Sequence, residues 1–132
     1  MLCLPSAQLP TDILFWVSRA SFLQHFDQHD FLCRDVQMVV DAYLEDWFYI
    51  DDSGSRRFKI PVVSVHSGMT QFIGGRHRTA VLLGHLDRVP LAFDTRDLDL
   101  RDREWIDVIV DSTLDPDGEF ELPDLPIRIM LP

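Results

Sequence analysis

Two periodicities run along this chain and divide it. From Asp35, a residue suited to cap a helix, Val36, Val39, Val40, Tyr43, Leu44 and Trp47 recur at +3, +4, +7, +8 and +11, the spacing of one helical face. Asp41, Glu45 and Asp46 fall on or near the opposite, polar side. Upstream, Pro10-Thr11-Asp12 reads as a helix start, and Ile13, Trp16, Val17, Ala20 and Leu23 follow at helical spacing. Phe15, Phe22 and Phe26 add apolar surface around the other side, which predicts a well-buried helix. Asp51-Asp52-Ser53-Gly54-Ser55 is a turn or loop.

The period changes between Phe58 and Phe93, which read as strand, short strand, helix, strand. Ile60–His66 is strand-like, Ser67-Gly68 marks a turn before Gln71-Phe72-Ile73, and Val89–Phe93 predicts a buried strand. Beyond Asp94 the pattern weakens. Leu98–Asp107 suggests a charged helix, Trp105-Ile106 with Val108-Ile109-Val110 suggests the start of a strand, and Asp115-Pro116-Asp117-Gly118 is a turn. Pro123, Pro126 and Pro132 argue for an edge strand or extended tail at the C-terminal end. No internal repeat is visible. The expectation is a single α/β (α+β) domain with a small mixed sheet and flanking helices. Its parts are a helical stretch 1–57, a core 58–94 and an acidic part 95–132.

One segment of that core carries chemistry. Phe72-Ile73-Gly74-Gly75-Arg76-His77-Arg78-Thr79-Ala80 places two glycines directly before a cationic helix start, and the helix runs to Gly84. A helix start presents unpaired backbone N–H groups and a partial positive charge, so it attracts anions. Glycine lets backbone approach a ligand, and Arg and His add charge-assisted donors. Basic residues here oppose the helix dipole, a cost of a few tenths of a kcal/mol or more each, which an anion would offset.

Composition narrows the partners. The chain has 132 residues and a net charge of −10, with 46% hydrophobic residues. Residues 94–132 carry 12 acids against 4 arginines, a net of −8. Such a chain is poorly suited to non-specific DNA binding, which is built on Lys and Arg at phosphates. Lys59 is the only lysine, so nearly all cations are guanidinium groups. Cys3 and Cys33, the only cysteines, have no metal spacing, and with no signal peptide a reducing cytoplasm is expected. No apolar run is long enough to cross a membrane.

The Phe72–Ala80 run, with Gly84 and Val89-Pro90 downstream, resembles the signature of the ParB/sulfiredoxin superfamily. It matches the sulfiredoxin pattern at Gly74, Gly75, His77 and Arg78 and departs at Arg76, where sulfiredoxins have their catalytic cysteine. Without that thiolate, sulfinic-acid repair is not expected. The resemblance, which covers roughly residues 58–94, implies a nucleotide cradle for ATP or CTP with a divalent metal such as Mg²⁺. Gly74 and Gly75 would supply backbone contacts, and His77 and Arg78 would meet phosphate oxygens. Arg76 and Thr79 join the candidate set from their position at the helix start. The polar box that partition proteins carry before the motif is not recognisable, nor is a downstream helix-turn-helix.

Other groups extend the candidate site. A phosphotransfer centre needs a carboxylate for metal or as base, and Glu45 and Asp46 are the favoured acids, with His77 as the third catalytic candidate. His66 and Ser67 end the strand before the motif and could face the same cleft. Arg56, Arg57 and Lys59 could hold phosphate or nucleic acid, or form a solvated hairpin edge. His25 and His29 have the i, i+4 spacing of a chelating pair but read more simply as surface histidines. Trp16, Trp47 and Trp105 read as core. Three functions compete: an enzyme that hydrolyses a nucleoside triphosphate or passes its phosphoryl group to a small acceptor; a ParB-type regulatory module, in a partition, plasmid or phage setting, acting on DNA or a DNA-bound partner with nucleotide as a switch; and an acidic docking module with a degenerate motif.

Overall fold

The run Ile13-Leu14-Phe15-Trp16-Val17 forms a strand, not the expected helix. In the computed structural model, which describes residues 1–31 and 41–129, β1 (Leu2–Ser6) is followed by β2 (Ile13–Ser18), and helix α1 begins only at Arg19 and ends at His25. Five apolar residues in succession, aromatic and β-branched among them, suit a strand. β2 pairs antiparallel with β8 (Arg88–Phe93) along its whole length, from Ile13 opposite Phe93 to Ser18 opposite Arg88. Ser18 then caps α1, its Oγ accepting the Ser21 N–H at 3.1 Å.

A short helix α2 (Gln28–Phe31) follows. The expected helix from Asp35 falls partly on residues 35–40, outside the described residues. Its C-terminal part is not helical at the expected period: Tyr43–Leu44 is strand β3 and Glu45–Trp47 a single 3-10 turn. β3 pairs in parallel with β11 (Ile127–Arg128). Tyr43 is wholly buried there, its hydroxyl donating to the Pro123 carbonyl at 2.5 Å. Tertiary pairing has overridden the local pattern.

The central segment follows its pattern. β4 (Phe48–Ile50) and β5 (Arg56–Lys59) flank the Asp51–Ser55 turn. β6 (Val62–His66) and β7 (Met69–Gly74) form a hairpin, α3 (Arg76–Leu83) follows, and β8 returns parallel to β6. The charged helix is α4 (Leu100–Ile109), capped by Asp99, whose Oδ1 accepts the Asp102 N–H at 2.8 Å. The expected strand start at Trp105 lies inside this helix, because Ile106 and Ile109 turn one face inward at helical spacing. β9 (Ser112–Thr113) and β10 (Phe120–Glu121) complete the sheets.

The strands make a five-stranded sheet in the order β7-β6-β8-β2-β9, a four-stranded sheet β10-β1-β5-β4 and the pair β11-β3. Strand alternation sends residues 15 and 16 to opposite faces. Trp16 meets Phe120 edge-on at 5.6 Å, and Phe120 lies 6.5 Å from Phe58, so this face packs on the four-stranded sheet. The other face carries α1, α2 and α4. There Phe22, Phe26 and Phe31 gather around Phe72, and the Trp105 indole donates to Thr70 Oγ1 at 3.0 Å. Trp16 and Trp47 are core residues as expected. The described residues thus form one mixed α/β unit with small mixed sheets. No helix among them is long and apolar enough to cross a membrane.

The Asp51 loop gives the fold an acid-sensitive contact. Asp51 accepts bonds from Ser53 and Ser55 and from Arg57 Nε at 2.8 Å, and these lower its pKa from 3.8 to about 2. A carboxylate with a depressed folded-state pKa stabilises the fold above its unfolded value, and that stability fades as pH falls through the folded one. The Asp51→Asn variant is therefore expected to lose stability at neutral pH and to show a shallower decline between pH 3.8 and about 2, read by denaturant midpoints across that range. Parallel declines for the two proteins would contradict this.

Candidate functional site

The sharp exit from β7 into α3 builds the site. β7 pairs with β6 through a bulge: Val62 faces Gly74 and Val63 faces Phe72, so Ile73 is the extra residue and stands half-exposed. Gly75 then takes φ +96, a left-handed conformation, and caps α3 with no side chain. A Cβ at this position would lie 2.5 Å from Pro61 Cβ and 2.8 Å from Arg78 Nη2. Only glycine allows both the dihedral and the approach. The first intrahelical bond is Thr79 N–H to Gly75 O at 3.0 Å, so the N–H groups of Arg76, His77 and Arg78 have no acceptor within the helix.

Arg78 folds back against that turn. Its guanidinium is half-buried, its Nε is enclosed, and no described hydrogen-bond partner reaches it. Burial lowers its pKa, and the nearby negative charge of Asp46 pulls the other way. Beside Arg78 opens a hollow of about 290 Å³ lined also by Ser6, Gln8, Lys59, Ile60 and Val62. Ser6 and Lys59 reach it because β1 and β5 run parallel with these two residues in register. The sequence showed Lys59 only as part of a basic cluster. Ser6 and Gln8 carried no signal at all, since a strand pairing across some fifty positions brings them in.

The remaining candidates sit as follows. Arg76 turns away from the hollow. Its Nη2 meets Asp30 Oδ1 at 2.6 Å and Phe72 O at 3.1 Å, and its Nε donates to Asp30 O at 2.9 Å. Asp30 Oδ2 accepts the Phe72 N–H at 2.8 Å, so this ion pair fastens α2 over the edge of β7. Thr79 is fully buried, its hydroxyl donating to Gly75 O at 3.0 Å. His77 is exposed at the helix start. Glu45 and Asp46 are exposed on the 3-10 turn, and of the two only Asp46 acts on the Arg78 charge.

Several groups lie elsewhere. His66 pairs with Met69 at the hairpin tip, whereas Gly74 pairs with Val62 at the other end of β6, about 13 Å away along a strand. His66 and Ser67 therefore do not share the cleft. His25 ends α1 and packs edge-on against Trp105, while His29 is on α2; the break at Phe26-Asp27 removes the single-helix geometry a chelating pair needs. Arg57 is committed to Asp51 and to the carbonyls of Pro5 and Pro116. Cys3 is a buried free thiol, and Cys33 lies outside the described residues. Among the described residues no three His, Cys, Asp or Glu side chains cluster closely enough to hold a metal ion. No protein-family model matches the chain, and no curated protein and no solved structure matches it.

Proposed function

We propose that this protein binds the phosphates of a nucleoside triphosphate, ATP or CTP, at the start of α3, and hydrolyses it or transfers its terminal phosphoryl group to a small acceptor. The observation that carries this reading is Arg78, a half-buried guanidinium beside a left-handed glycine, its enclosed Nε without a partner among the described residues and a hollow before it. An enclosed guanidinium N–H without an acceptor is costly, and a phosphate oxygen would supply one. The N–H groups of the first turn add donors, and Lys59 adds charge on the far wall.

Within this reading Gly74, with open space beside it, admits the phosphate chain, Gly75 sets the turn, Arg78 and His77 hold the phosphate oxygens, and Arg76 serves as the brace that fixes the turn. Asp46 is the acid suited to a Mg²⁺ ion, which commonly takes one or two carboxylates and completes its shell with phosphate oxygens and water. Bound there, the ion would neutralise charge on the phosphates. Kinship with the ParB/sulfiredoxin superfamily and a reducing cytoplasmic setting belong to the same proposal.

Titration calorimetry with ATP, CTP and GTP in the presence of Mg²⁺ tests it. Saturable binding is expected, weakened about tenfold or more in Arg78→Gln, the worth of one charge-assisted hydrogen bond. No saturable heat at millimolar nucleotide would overturn the proposal, as would unchanged affinity in a folded Arg78→Gln variant. Phosphate release from the bound nucleotide then separates hydrolysis from binding alone.

A further inference from the structure

The face of the five-stranded sheet turned away from Phe120 holds a second hollow, of about 420 Å³, between β2 and α4. Its floor is apolar: Ile13 and Phe15 from β2, Ile106 from α4 and Leu98 from the connection before it. Ile13 is left 42% exposed there, though it pairs with Phe93 on β8. The volume falls within the range of small-molecule sites, about 300–1,000 Å³.

The rim carries two charges of opposite sign. Arg103 and Asp107 both line the hollow and sit one turn apart on α4, a spacing that puts Cβ atoms about 6 Å apart. Neither side chain forms an ion pair or hydrogen bond with the other or with any other described residue. Several neighbouring polar groups are held within the chain, although Asp12 Oδ1 and Asp102 Oδ1 are buried with no partner among the described residues. Arg96 is held by Asp94 at 2.8 Å, the Thr95 hydroxyl donates to Thr11 O at 2.6 Å, and Asp12 Oδ2 accepts the Leu9 N–H at 3.0 Å. An uncommitted guanidinium and an uncommitted carboxylate thus stand over one apolar floor.

We propose that this hollow binds a zwitterionic α-amino acid with an apolar side chain, in a site separate from the α3 phosphate site. The ligand carboxylate meets Arg103, its ammonium meets Asp107, and its side chain lies on Ile13, Phe15, Leu98 and Ile106. A fatty acid would leave Asp107 unanswered, and a simple amine would leave Arg103 unanswered. Only a ligand with both charges next to an apolar body answers the whole rim.

The test is a ¹H–¹⁵N NMR titration of the whole chain, without nucleotide, using leucine, N-acetylleucine and leucinamide. Leucine should shift the amides of Ile13, Phe15 and Ile106 saturably. Removing either ligand charge should weaken binding about tenfold, as should Arg103→Gln or Asp107→Asn. Both residues are exposed, so the variants should keep the wild-type spectrum elsewhere. The decisive pairing is chemical: acetylation should cost the wild type about tenfold and Asp107→Asn almost nothing, and amidation should show the same pattern with Arg103→Gln. Leucine shifts that map elsewhere, equal binding of all three ligands, or no saturable shift would overturn the proposal. Because nucleotide is absent, none of these outcomes bears on the phosphate site.

Discussion

Gly75→Ala is expected to destabilise the fold by about 3–5 kcal/mol, well beyond what a left-handed dihedral alone costs. The comparison that isolates the cause is Gly54→Ala. Gly54 has φ +84, close to the +96 of Gly75, but a Cβ there would meet nothing within 4 Å. Its loss should cost only the backbone strain, about 1 kcal/mol. At Gly75 the new methyl would press on the Pro61 ring and backbone at 2.5 and 2.7 Å. Neither can yield easily, since Pro61 begins the approach to β6 and its carbonyl accepts the Ala92 N–H at 2.8 Å. The strain must pass into Arg78 or into the strand. Urea midpoints for the two variants check this. Similar losses at both glycines would mean that the close approach contributes nothing.

The second large effect is expected at Phe72. Phe72→Ala should cost about 3–5 kcal/mol, the usual loss for an aromatic side chain removed from a packed core. Its ring is 6% exposed and lies 6.1, 6.0 and 5.7 Å from Phe22, Phe26 and Phe31. Through it Phe22 of α1 and Phe31 of α2 both meet β7. Phe72→Leu keeps most of the volume and should cost less than about 1.5 kcal/mol. Thermal unfolding of the two variants measures the difference. A loss below about 1 kcal/mol for the alanine variant would show that α1 and α2 are held by the Asp30 contacts and not by this cluster.

What the sequence made legible follows from where each contact partner lies. The hairpin, the Gly74-Gly75 exit and the run of α3 depend on neighbours a few residues away, and turn chemistry announces them. β2 reads as helix because Ile13, Trp16, Val17, Ala20 and Leu23 satisfy a helical period, although Ile13–Val17 is an unbroken apolar run. An unbroken apolar run shows no alternation of apolar and polar positions to mark it as a strand. Tyr43 and Leu44 become a strand because Ile127 and Arg128 lie beside them, information that no local window holds. The candidate site divides in the same way. Gly75 and Arg78 are local features. The role of Arg76 is set by Asp30, forty-six positions earlier, and the far wall of the hollow by a strand that begins at Leu2.

The extra residue at Ile73 has a geometric consequence. Side chains on a strand obey an odd–even rule, and one unpaired position resets the count for everything after it. Phe72 and Gly74 lie two apart on β7 yet face adjacent residues on β6, so the chain arrives at Gly75 with its parity shifted by one. The side on which Arg78 emerges is therefore decided by the length of a strand as much as by the chemistry of two glycines.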